Sequence, residues 1–192
     1  MENNELAAKA SQQKWIYAIL VFGVLECILL LMVLLEPAPA NATGMAHPSI
    51  PKMVVGGDSS RFDLVGGYAW WFQIFVLAQA HCLAALGVKP ERRTTTFLSL
   101  LGGCYLLALL VWWQMVSGYE TYIETGTTDY FLGFPIATAW QTYGLWFSGF
   151  GLIALYSLGF GHYVWSDSDQ QKFEALAAKH APQTETSEKL GA

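Results

Sequence analysis

Two ionisable side chains lie inside apolar runs of this sequence, where they could carry chemistry. Glu26 interrupts the apolar run 15–35, and His81 lies in the uncharged run 64–88. A carboxylate at the centre of a membrane span costs at least about 2.5–3.5 kcal/mol on insertion scales, so Glu26 is expected to be protonated, paired or facing water. Because imidazole titrates near neutrality, Glu26 and His81 together would form a proton or cation site.

Helix geometry allows these two side chains to meet. At about 1.5 Å per residue, His81 lies roughly 10 Å from the end of its run at residue 88, and Glu26 lies roughly 16 Å from residue 15. Gln79 falls at an intermediate depth. We therefore interpret Glu26, His81 and Gln79 as an ion or proton site in a small carrier or channel. The structural alternatives are a neutral Glu26 hydrogen-bonded to a neighbouring helix and a His81 that only packs.

A second histidine, His162, lies near the end of the last apolar run. Two helical histidines that face each other can ligate a b-type haem, and this pattern is similar to that of respiratory membrane anchors. His81 and His162 are thus candidate ligands in a haem-, quinone- or pigment-binding anchor subunit of an electron-transfer complex. Trp140 and Trp146 lie deeper in the same run, where they would pack against a partner helix or a lipid-like cofactor. The sequence leaves the cofactor unidentified: haem b or another lipophilic group.

Composition and motifs argue against several functional classes. The net charge of −5, from 10 basic and 15 acidic residues, offers no basic stripe for nucleic acid. Cys27, Cys82 and Cys104 lie in apolar runs without CxxC spacing, so we expect neither disulfides nor a metal site. The sequence contains no phosphate loop, HExxH motif or nucleophile elbow, so an enzyme acting alone is not expected.

The elements that must position these residues are membrane spans. Only 13% of the residues are charged, about half the share in a soluble domain. Each apolar run was compared with the roughly 20 residues needed to cross a bilayer. The last uncharged run is too short for two crossings, and we interpret it as one long helix with Pro135 in its first turn. The prediction is an all-α, polytopic membrane protein with four transmembrane helices at 15–35, 64–88, 94–118 and 134–165.

The distribution of Lys and Arg orients these spans. Eight lie in the segment 1–14, the turn 89–93 and the tail 166–192, and two lie in the loop 36–63. The positive-inside rule then places both termini in the cytoplasm and the loops 36–63 and 119–133 outside. The first run is longer than the apolar part of a signal peptide, so we expect a retained helix. The tail is expected to hold a short helix, and the location to be the bacterial inner membrane.

Small residues in the fourth predicted span form a face for close packing. Gly144, Ser148 and Gly151 recur at helical spacing, which lets another backbone approach. Such a face needs a neighbour, which is either another span of this chain or a partner protein.

The same span carries a resemblance to known proteins. Gly133-Phe134-Pro135-Ile136, then Gly144 and an apolar run closed by Asp167 and Asp169, resembles the second span of small subunits that accompany sodium:solute symporters. Those subunits look like two-span proteins, and the resemblance covers little beyond the fourth span. The layout of four spans with both ends inside is similar to that of the small membrane subunits of tripartite periplasmic transporters. Neither resemblance assigns a site residue.

These features favour a non-catalytic integral subunit that packs against a larger membrane protein in a transport or energy-transducing complex. The expected partners are the lipid bilayer and that larger protein. The alternatives are the haem- or quinone-binding anchor with His81 and His162, and the small carrier or channel with Glu26 and His81.

Overall fold

The structure is a computed structural model that describes residues 2–37, 44–55 and 60–189. Parts of the predicted outer loop (38–43 and 56–59) and the extreme ends of both predicted terminal segments lie outside these ranges. The fold is all-α, as predicted, with two short antiparallel strand pairs. The α-helices are α1 (Glu2–Leu35), α2 (Ser60–Leu86), α3 (Thr95–Thr125), α4 (Ile136–Ala139), α5 (Leu145–Leu158) and α6 (Asp167–Lys189).

Among the residues that the structure describes, three helices are long and apolar enough to cross a membrane: Ala10–Leu35, Phe62–Leu86 and Thr95–Thr125. They correspond to the first three predicted spans, and they support a multi-pass membrane protein. α3 begins at the N-cap Thr94, whose Oγ1 accepts a hydrogen bond from the Phe97 N–H (3.2 Å). It continues past the predicted end at 118 until Gly126, which adopts a left-handed φ of 67° that glycine tolerates.

The fourth predicted span is not one regular helix from 134 to 165. Strand β3 (Tyr130–Phe131) pairs with β4 (Phe134–Pro135), and Pro135 is the extended N-cap of α4 instead of lying in the first helical turn. Helical backbone then continues to Leu158, but through a π-helical segment at Trp140–Gly144. A second π segment, Phe160–Val164, follows Gly159. Turn and π geometry thus divide a run that hydropathy alone presents as uniform.

The helices pack in a row. α1 runs antiparallel to α2, with Phe22 stacked on Phe75 at 6.0 Å and the Tyr68 hydroxyl donating to Glu36 (2.9 Å). α2 packs against α3, which in turn packs against α4 and α5. Strands β1 (Met45–Ala46) and β2 (Val54–Val55) form a small hairpin in the loop between α1 and α2.

The end of the row that holds the α2–α3 turn is called the basic end. Its buried hydrophobic cluster comprises Ala85, Val88, Phe97 and Leu101. The opposite end, which holds the β3–β4 hairpin, is called the hairpin end. There Gly118 of α3 lies against Ile136, so closely that an added Cβ would be 3.2 Å from the Ile136 side chain.

Candidate functional site

His81 lies in a cavity of about 280 Å³ between α1, α2 and α3. Its ring packs edge-to-face on Tyr105, with centroids 5.4 Å apart, and Trp15 and Phe22 line the α1 side. The Nδ1 atom lies 2.7 Å from the Leu77 carbonyl oxygen, which assigns the proton to Nδ1. In the neutral ring this hydrogen bond leaves Nε2 with its lone pair available to accept a proton or bind a ligand.

Gln79 connects α2 to α1. Its Nε2 donates to the Ile19 carbonyl oxygen (3.3 Å), and it lies 3.2 Å from the position that a Cβ on Gly23 would occupy. The missing side chain of Gly23 therefore lets the amide approach the α1 backbone. In this arrangement Gln79 links two helices.

Glu26 and His81 do not form the hydrogen-bonded pair that their depths allowed. Glu26 Oε1 is buried, and within the described chain it has no hydrogen-bond partner. The antiparallel register sets Gly23 against Gln79, so Glu26 lies one helical turn further along α1, away from the His81 cavity. Spacing gave the distance of each residue from the end of its run, but it did not give the register of α1 against α2.

The structure does not place His162 beside His81. His162 is exposed in the π segment Phe160–Val164, packs on Tyr163 (ring centroids 4.7 Å apart) and is not among the residues that line the His81 cavity. Tyr156 occupies the space between α5 and α2, because its hydroxyl donates to the Ala84 carbonyl oxygen. The two candidate haem ligands are therefore held in different surroundings.

The small-residue face of the fourth predicted span is covered from within the chain. A Cβ on Gly144 would be 2.7 Å from the Trp140 ring and 3.0 Å from Val111 of α3, and one on Gly151 would be 3.2 Å from Cys104 Sγ. Ser148 is buried, and its hydroxyl donates to the Leu145 carbonyl oxygen (2.8 Å). Of the two neighbours that the sequence allowed, the structure supplies the internal one, α3, so this face is not free for a separate partner.

A larger cavity, of about 350 Å³, lies at the hairpin end between α3 and the π segment. It is called the hairpin groove. Trp140 contributes to its wall, whereas Trp146 is 68% exposed and is not among the lining residues. The surface that lines this groove is apolar. Its walls include Leu107 and Val111 of α3, Phe131 of the hairpin, and Trp140, Tyr143 and Gly144 of the π segment.

Sequence reasoning missed the hairpin groove because it assumed a regular helix. The available signal was Leu132-Gly133 followed by Pro135, a turn sequence that ends in a residue unable to donate a backbone hydrogen bond. The π segment has no comparable local signal, since it depends on how Trp140 packs over Gly144.

A charged cluster closes the basic end. Asp169, 8% exposed, accepts from Lys89 and from Arg92 (2.7 Å), and it also accepts from the Ser166 N–H (3.1 Å). The hydrogen bond from Lys89, followed by those from Ser166 and Arg92, holds the pKa of Asp169 well below its ordinary value. The cluster fixes the start of α6 against the α2–α3 turn, so its evident role is structural.

Neither a metal-ligand cluster nor a known relative assigns a function to these residues. Across the described residues, no three His, Cys, Asp or Glu side chains group as a metal site would require. Comparison of the chain with family models, curated proteins and solved structures found no match.

Proposed function

We propose that this protein is a non-catalytic integral membrane subunit that packs against a larger membrane protein in a transport or energy-transducing complex. In this proposal residues 134–165 cross the membrane as an irregular fourth span, both termini are cytoplasmic, and the membrane is the bacterial inner membrane. The resemblance of Gly133-Phe134-Pro135-Ile136 to small symporter subunits points the same way.

The observation that carries this proposal is the openness of the helix row. In the described part of the chain, the buried hydrophobic residues are few: Ala85, Val88, Phe97, Leu101, Val111 and Ala139. Because so few side chains are buried within the row, contact with another membrane protein would bury many more of them.

α1 is the edge of the row that best fits such a partner. Its most apolar stretch has no buried residue, and along its length it packs chiefly against α2. Its outward side carries exposed apolar residues, including Leu20, Val24 and Leu31. Because lipid is as apolar as these side chains, close packing and not hydrophobicity would drive the association.

Site-specific photocrosslinking in native membranes tests this proposal. A benzophenone side chain at Val24 is expected to capture one large polytopic protein, identified by mass spectrometry. Ile153, exposed to a similar degree on α5 at the opposite edge of the row, is the matched control and is expected to capture lipid. The proposal is wrong if both positions give only lipid adducts.

His81 supports a second candidate, the haem- or quinone-binding anchor. Its Nδ1 hydrogen bond to Leu77 orients the ring as carbonyl partners orient ligating histidines. Under this alternative, purified protein has a Soret band that His81→Ala removes and His47→Ala, on an exposed loop, retains. A colourless preparation from native membranes, in which every copy of this chain is still bound to its partner protein, would exclude the haem-binding function.

A further inference from the structure

The hairpin groove has the shape and chemistry of a hydrocarbon-binding site. The π segment forms part of its wall, and Trp140 lies so close over Gly144 that an added Cβ would be only 2.7 Å from the ring. Its walls offer carbon surface and almost nothing that could bind a polar group. Its volume is about 350 Å³.

The hairpin above the groove exposes apolar side chains, and one of them, Leu132, has an unfavourable left-handed backbone conformation. Leu132 and Gly133 form the two-residue turn with φ values of 48° and 83°, a geometry that normally selects Asn or Gly at the first position. A leucine is there instead, and it is 69% exposed. An outlier of this kind points to function: here it holds an apolar side chain at the tip, beside exposed Phe131 and Phe134.

Aromatic contacts connect the hairpin to the groove. The Tyr143 ring packs edge-to-face on both Phe131 and Phe134, with centroids 6.1 and 6.0 Å apart. Tyr143 and Phe131 also line the groove. The hairpin is therefore the roof of the groove, at the end of α3 where the apolar sequence gives way to polar residues.

The exposed charged residues that precede the hairpin in the chain are acidic. Exposed Glu120 and Glu124 follow Gly118 on α3, and Asp129 precedes the hairpin and accepts the Ile136 N–H through its carbonyl oxygen (2.8 Å). The sequence has no Lys or Arg between Arg93 and Lys172. An anionic headgroup or a free fatty acid would meet three carboxylates here, whereas an ammonium group would be attracted to them.

We propose that the hairpin groove binds one acyl chain of a zwitterionic phospholipid, whose headgroup ammonium faces the acidic rim of Glu120, Glu124 and Asp129. The apolar walls hold the chain, and the hairpin residues Phe131, Leu132 and Phe134 lie among the neighbouring lipids. This site is built within one chain, so it does not depend on the partner protein proposed above.

The test is a lipid-retention measurement on the full chain. The protein is reconstituted in vesicles of equal phosphatidylethanolamine and phosphatidylglycerol with identical acyl chains, extracted in mild detergent, and analysed for bound phospholipid by mass spectrometry. The wild type is expected to retain about one phospholipid per chain, with phosphatidylethanolamine favoured at least fivefold. Equal retention of both lipids would overturn the headgroup assignment.

A matched pair of variants tests the location. Ala139→Leu places a branched side chain in the groove, and it should reduce retention at least fivefold. Ala69→Leu makes the same change in a second apolar cavity, of about 270 Å³ between α1 and α2, and should retain lipid as the wild type does. Equal losses in the two variants would overturn the site.

Photolabelling keeps the proposal testable if Ala139→Leu does not fold. Wild-type protein in vesicles that contain a phosphatidylethanolamine with a diazirine in its acyl chain should be labelled mainly within residues 131–147. Labelling spread evenly over α1, α2 and α3 would contradict a defined site.

Discussion

The two ends of the helix row are built by different means. At the basic end, Phe97 and Val88 are almost fully buried, and both ion pairs that the described chain contains join Asp169 to the α2–α3 turn. At the hairpin end, aromatic rings surround a cavity and the carboxylates have no cation nearby in sequence. Close packing and charge fix one end, whereas the other keeps an apolar space that a ligand can fill.

The largest effect should come from removing the core of the basic end. Phe97→Ala deletes a side chain that is 1% exposed, and such truncations cost about 3–5 kcal/mol in the free energy of unfolding. Phe147→Ala, at a highly exposed position that borders the hairpin groove, should cost within about 0.5 kcal/mol. Thermal unfolding in detergent measures both. Similar losses at the two positions would remove the distinction between the ends.

The charged cluster should come next, with an effect that depends on pH. The pKa of Asp169 is lowered in the folded protein, so its contribution to stability is complete above its ordinary value of 3.8 and is lost as pH falls below it toward the native pKa. Asp169→Asn should therefore lower the melting temperature at pH 7 and speed hydrogen exchange in α6. Asp167→Asn, at an exposed position two residues earlier, is the control.

In the wild type, acidification below about pH 4 should reproduce part of the Asp169→Asn defect. The variant itself should show a smaller further loss over the same range. A melting temperature that falls equally with pH in both proteins would show that Asp169 is not the group responsible.

A smaller effect is expected where the π segment meets α3. Gly144→Ala would place a Cβ 2.7 Å from the Trp140 ring and 3.0 Å from Val111, and overpacking of this kind costs about 1–3 kcal/mol in unfolding free energy. Gly149→Ala is the matched control on α5, because a Cβ there meets nothing within 4 Å. Alanine should be neutral or slightly stabilising at that site. If Gly144→Ala left the unfolding free energy unchanged, the contacts of Gly144 with Trp140 and Val111 would not be tightly packed.

The first three spans could be predicted because each is a long apolar run bounded by charge. The irregular backbone of residues 134–165 could not be predicted, since hydropathy does not register the turn at Leu132-Gly133 or the packing of Trp140 on Gly144. Likewise, the spacing of Glu26 and His81 gave their depths but not the register of α1 on α2. The ion pairs of Asp169 could not be predicted, because its partners Lys89 and Arg92 are distant in sequence.

The proposed function requires that a larger membrane protein completes this open row of helices. Purification from native membranes in mild detergent, with mass spectrometry of the intact assembly and an absorption spectrum, tests it most directly. We expect a colourless complex in which this chain and one large polytopic protein occur at a fixed ratio. A chain that purifies as a monomer, or one that carries a haem spectrum with no larger protein bound, would contradict this proposal.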